Sequence, residues 1–251
     1  MEEKILQGKK NGMLVLVITT LLYIAAGIGL VFGILADSIV LLVVTIVWLA
    51  IGWIPWLGLK VLKPQEALVL TLFGKYYGTL KDDGFYFVNP FCVGVNPAAQ
   101  TKLNQSGDVN SHKKSAFNLT LGSGADAAAQ SSEMTSKKIS MKIMTLNNNK
   151  QKINDCLGNP VEIGIAVMWR VTNTAKAVFN VDNYKEYLSL QCDSALRNIV
   201  RIYPYDVAPG VDTTGDGIAD EGSLRGSSEV VAQRIKNEIQ SKVSEAGLEI
   251  I

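Results

Sequence analysis

Few residues in this chain are spaced for chemistry. The one histidine, His112, sits in a His-Lys-Lys triplet inside a polar stretch, with no carboxylate or nucleophile patterned around it. Cys92, Cys156 and Cys192 are far apart and make no Cys-x-x-Cys pair, so the sequence shows neither a zinc site nor a disulfide framework. There is no Gly-x-Ser-x-Gly, phosphate-binding loop or dinucleotide glycine pattern. Asp212, Asp216 and Asp220 are spaced like the carboxylates of an oxygen-rich Ca²⁺ loop, with Gly217 after the second of them for a sharp turn. Thr214 and Ser223 stand where further ligands belong, so a polar surface loop of turn formers explains the segment more simply. The expectation is a protein without catalysis, cofactor or bound metal.

The informative feature is how apolar residues are distributed. Of the 47 residues from Met13 to Leu59, 36 are hydrophobic and only Asp37 is charged, whereas the rest of the 251-residue chain has a normal soluble composition. Residues 14–36 and 39–59 are each long enough, as helices at about 1.5 Å per residue, to match a hydrocarbon core of about 30 Å. With Asp37 and Ser38 as the only polar residues between them, they form a tight helical hairpin with both ends on one side of the membrane. Lys4, Lys9, Lys10, Lys60 and Lys63 flank it and the turn has no basic residue, which puts both ends in the cytoplasm. Trp48, Trp53 and Trp56, with Lys60 and Lys63, form the expected membrane interface. Gly52, Pro55 and Gly58 leave open a re-entrant hairpin that dips into the bilayer without crossing it.

After this anchor, at residues 1–63, the pattern is that of a folded domain over 64–251. Strands are expected at 67–73, 76–80 and 85–88, then over 139–146. Val161 to Val171 alternates apolar and polar residues at period two, which predicts one eleven-residue strand. Asn183 caps a helix that runs to about Val200, and Glu186 completes the capping pattern. A second helix covers 228–246 and stops at Gly247, followed by the start of a strand. Segments 96–137 and 207–226 lack apolar periodicity and read as irregular insertions. Cys192 lies on an apolar helix face and reads as a core residue. Near-zero net charge, with 24 basic against 23 acidic residues and no dense basic patch, argues against nucleic acid as the main partner. Phe85, Phe87 and Phe91 suit either the domain core or the membrane interface, the core being the simpler reading.

Five segments in order resemble one family: Lys63-Pro64-Gln65-Glu66-Ala67-Leu68-Val69, Phe73-Gly74-Lys75-Tyr76-Tyr77-Gly78-Thr79, the aromatic run from Gly84 to Phe91, the stretch from Asp155 to Val171, and Ala175 to Tyr184 with Ala195-Leu196-Arg197-Asn198. They resemble the SPFH domain of the stomatin, prohibitin, flotillin and band 7 proteins. The resemblance implies an α/β (α+β) domain lying against the membrane of the cell, self-associating into rings or cages. Its implied partners are membrane lipids, further copies of itself, and a membrane protease, channel or transporter that it regulates. The long helix or coiled coil that usually follows is not in these residues, so the expectation is either that the protein continues beyond Ile251 or that it assembles through the SPFH domain alone.

Overall fold

A computed structural model describes residues 2–6, 10–36, 38–101, 137–206 and 223–251. The chain divides into two compact units, residues 1–96 with 137–141 and residues 97–136 with 142–251. The Ca²⁺-like loop of Asp212, Asp216 and Asp220 lies outside the described residues, as does most of the 96–137 segment. The expected boundary at residue 64 falls inside the first unit.

In the first unit, α1 (Gly12–Leu35) and α2 (Ile39–Ile51) pack as a hairpin. Both are long and apolar enough to cross a membrane when the second is followed to Leu57. Apolar side chains are exposed around them on several faces, among them Leu14, Val17, Leu21, Ile28, Phe32, Val40 and Val47. A helix that exposes apolar side chains on more than one face is fitted to lipid. The inner seam uses small residues. A Cβ on Gly33 would lie 3.2 Å from Leu42, and Thr19 and Thr45 are buried with their hydroxyls donating to backbone carbonyls of their own helices.

The second helix does not continue to Leu59 as the sequence predicts. It ends at Ile51, and a short turn of helix, α3 (Ile54–Leu57), follows after Gly52 and Trp53. Pro55 has no backbone N–H to continue the ladder, so the break falls just before it. Leu59 already belongs to a strand, β1 (Leu59–Leu62). Two strands precede its partner in the chain, β2 (Glu66–Leu72) and β3 (Lys75–Leu80); β1 itself pairs antiparallel with β4 (Gly84–Phe87). β2 is also flanked by β5 (Cys92–Gly94) and β6 (Ile139–Ser140). Leu62, Leu68, Leu70, Leu80, Tyr86 and Cys92 form the core, with Leu6, Leu72 and Val88 packed against it. Leu6 arrives from the chain start, where residues 4–6 hydrogen bond along the outer edge of β3 through Thr79.

The second unit contains β7 (Met144–Asn147), β8 (Gln151–Asn154), β9 (Pro160–Ile163), β10 (Ala166–Val171), α4 (Thr174–Phe179), α5 (Tyr184–Val200), α6 (Ser228–Val243) and β11 (Leu248–Ile250). β10 is the middle strand of a sheet ordered β11-β10-β7, and β8 pairs separately with β9. The eleven-residue strand expected over 161–171 is therefore two strands with different partners, divided at Gly164 and Ile165. The strand expected over 139–146 is likewise divided, its two halves pairing in different units. Val167, Trp169 and Val171 face inward from β10, and Trp169 meets Tyr184 of α5 edge-on at 6.2 Å. α5 buries Leu188, Cys192, Leu196 and Ile199, and α6 buries Val231, Ile235, Ile239 and Val243. Asn183 caps α5 as expected, its side chain accepting from the N–H groups of Lys185 and Glu186.

Candidate membrane-facing site

The anchor enters the first unit's sheet with no flexible linker on its exit side. The N–H of Val88, just past β4, donates to the carbonyl of Gly58 at 2.9 Å, one residue before β1 begins. At the entry side the backbone of Gly12, the first residue of α1, lies against Phe85; a Cβ there would come within 2.8 Å of the Phe85 carbonyl. The β1–β4 ribbon is thus held at both helix ends.

The three tryptophans expected at the interface differ in their surroundings. Trp56 donates from Nε1 to the Thr19 hydroxyl at 2.9 Å, and its ring lies 5.5 Å from that of Tyr23, whose hydroxyl donates to the Leu49 carbonyl at 2.7 Å. These bonds tie α3 and α2 to α1 with polar groups satisfied inside the hairpin, as an apolar surrounding requires. Trp53 donates to the Ala50 carbonyl at 2.8 Å, and Trp48 is exposed on α2. Lys60 and Lys63 are not side by side on a helix end. Lys60 is a β1 residue opposite Tyr86, and Lys63 opens the turn into β2, its N–H donating to the Glu66 carboxylate.

The aromatic run is divided between buried and exposed positions. Tyr86 is core, Phe85 is half-buried, Phe87 is partly exposed, and Phe91 is 58% exposed. Phe91 stacks on Phe73, with centroids 6.1 Å apart, and Phe73 is 84% exposed. Sequence reasoning put Phe73 at the end of a strand. Its signal was present in Phe73-Gly74 between two strand patterns, which is where a two-residue turn falls.

Polar groups elsewhere are committed to structure. Asp155 is buried and accepts from the N–H groups of Leu157, Asn159 and Tyr205 and from the Asn159 side chain, at 2.7 to 3.1 Å. Burial pushes its carboxyl up, but the donors of Tyr205, Asn159 and Leu157 outweigh burial and hold it below the usual carboxylate range. Asp193 accepts from the side-chain amides of Asn148 and Gln151, and Arg197 donates to Gln151. The Cys192 thiol is pushed up to about 12 by burial, with Asp193 adding to the effect, so it stays protonated and unreactive. Among the described residues no group of three or more His, Cys, Asp or Glu side chains could hold a metal ion. A shallow groove lined by Asn180, Asp182, Asn183, Glu186, Tyr187 and Leu190 has neither cysteine nor histidine in its lining.

A helical hairpin whose apolar residues face outward, continuous with a mixed α and β domain, is the architecture of a membrane-associated protein. The chain belongs to the SPFH domain / Band 7 family, whose profile matches residues 60–251. Members of this family are generally non-catalytic scaffolds. Comparison with curated proteins finds no match.

Proposed function

We propose that this protein is an oligomeric membrane scaffold: the hairpin fixes it in the bilayer, copies associate through the SPFH domain, and the assembly confines nearby lipids and proteins without chemistry of its own. The observation that carries this reading is the joint between anchor and sheet. Val88 bonds to Gly58 and Phe85 packs on Gly12, so the first unit follows the anchor closely, which supports a position at the bilayer surface, where lateral association is favoured. Family membership supports the scaffold role. The commitment of Asp155 and Cys192 to turn and core, respectively, fits a protein without an acid–base pair or a thiolate. Both ends of the hairpin, and with them the domain, lie in the cytoplasm of this reading, because the basic residues flank it on that side.

Electron microscopy of the detergent-extracted full-length protein tests it. Rings or cages are expected; a monodisperse species of one or two copies at membrane-like density overturns it.

A further inference from the structure

Phe73 and Gly74 form the two-residue turn between β2 and β3, with Leu72 paired to Lys75. Both turn residues have positive φ, 48° and 82°. Such a turn favours Asn-Gly, since glycine and asparagine tolerate the left-handed region and phenylalanine does not. The position therefore carries backbone strain, and its large apolar side chain is 84% exposed. Strain combined with apolar exposure at one residue points to a partner that covers it.

The second ring comes from a different turn. Asn89 and Pro90 follow Val88, Phe91 comes next, and Cys92 pairs with Leu72, which brings the two turns together and stacks Phe91 on Phe73. Val93, also exposed, is the neighbour in β5. The Asn89 side chain accepts from the Phe91 N–H at 3.0 Å, so this turn is fixed too.

The connectivity identifies the partner. β4 starts at Gly84, whose open side faces Lys10 ahead of α1, and passes Phe85 against Gly12 at the entry of α1. It ends at Phe87, and the next residue, Val88, is bonded to Gly58 at the exit of α3. The strand thus runs in the direction in which α1 enters the membrane, and Phe91 lies three residues beyond its last contact with the anchor. The exposed pair is continuous with the surface that the bilayer already occupies.

We propose that Phe73 and Phe91, presented as a stacked pair by two neighbouring turns, enter the headgroup–acyl boundary of the bilayer that holds the hairpin. Each ring buries apolar surface at that boundary, and Lys75, beside the first turn, stays at headgroup level. The pair sets how closely the first unit is drawn onto the lipid. The inference rests on the hairpin residing in a bilayer and is independent of whether copies assemble.

The test uses the full chain with Cys156→Ser, reconstituted into nanodiscs of phosphatidylcholine and phosphatidylglycerol at one copy per disc. Phe73→Cys, Phe91→Cys and, as a control, Asp83→Cys at the far end of β4 each carry an environment-sensitive fluorophore. Quenching by lipids spin-labelled high on the acyl chain is expected to be at least about twofold stronger at 73 and 91 than at 83, with iodide giving the reverse order. A second variant, Phe73→Asn, suits the turn, so its unfolding midpoint should hold or rise while lipid quenching of the probe at 91 falls. Iodide access at 73 and 91 equal to that at 83 overturns the proposal, as does shielding that appears only with several copies per disc. Rings seen by microscopy alongside either result would leave the scaffold reading standing and remove this one.

Discussion

Asp155 shows how a single carboxylate holds a junction. Its four donors come from the turn that follows it and from Tyr205, fifty residues later, so one side chain closes the turn and pins the chain after α5. A carboxyl held below its ordinary value in the fold stabilises fully when the pH is above its unfolded value. That contribution is lost as pH falls from there through the folded value. The protein is therefore expected to lose thermal stability on acidification through and below the ordinary carboxylate range. Asp155→Asn should remove that part of the acid dependence and lower the midpoint at neutral pH, because the amide turns a donor toward donors. Circular dichroism melts of both proteins across this range check it; parallel pH profiles would show that Asp155 plays no such part. In the sequence Asp155 only opens one of the five family-like segments; its role at the junction was not legible, since three of its four donors are backbone groups brought together by the fold.

Elements form where local signals agree, and their partners are decided elsewhere. The αL residue Gly247, φ 67°, ends the turn after α6, and its carbonyl accepts from the N–H groups of Thr172 and Asn173 and from the Thr172 hydroxyl. A Cβ there would lie 2.9 Å from that of Asn173. Gly247→Ala combines positive-φ strain with a clash in the joint that seats β11 on β10, and should cost about 1–3 kcal/mol. Chemical denaturation of the two proteins measures it, and a loss within error of zero would mean the joint yields. The stop at Gly247, the Asn183 cap and the stripe of α6 could be read from sequence because each is a local signal within a few residues. The alternation from Val161 to Val171 was equally visible, but period two says only which side chains share a face. It does not reveal that Ile163 pairs with Gln151 while Val167 pairs with Leu146. β1 escaped notice because Leu59-Lys60-Val61-Leu62 continues the apolar run of the anchor, and only pairing with β4 makes it a strand. The short strands β5 and β8 and the six-residue α4 carry too few residues for either periodicity to show. Of the candidate site, the tryptophans and lysines could be picked out by type alone, while their settings, Trp56 bonded to Thr19 and Lys60 within β1, could not. The Phe73–Phe91 stack was not, because its rings come from two turns joined only through β2 and β5.

At the scale of the whole molecule, the apolar surface around α1 and α2 decides the environment. Leaving side chains such as Leu21, Ile28, Phe32 and Val40 in water would cost on the order of 1.5–3 kcal/mol each, far beyond what a domain of this size can absorb. Lipid removes that cost. Because the hairpin is two helices joined by a short connection, both ends emerge on one side whether it spans or re-enters, and the topology proposed above from the basic flanks has that side in the cytoplasm. Cys156 is an exposed native thiol after the anchor, while Cys92 and Cys192 are buried. A membrane-impermeant maleimide should therefore label Cys156 in inverted membrane vesicles and leave it unlabelled in intact cells; labelling of intact cells would reverse the proposed topology. Ser38→Cys, placed between the helices in a Cys156→Ser background, then separates the two hairpins. Labelling from outside intact cells means that α1 and α2 each cross the bilayer. Protection from both sides means that the break at Gly52 to Pro55 returns the chain before it crosses, with the polar bonds of Trp56 and Tyr23 holding the two legs together inside one leaflet.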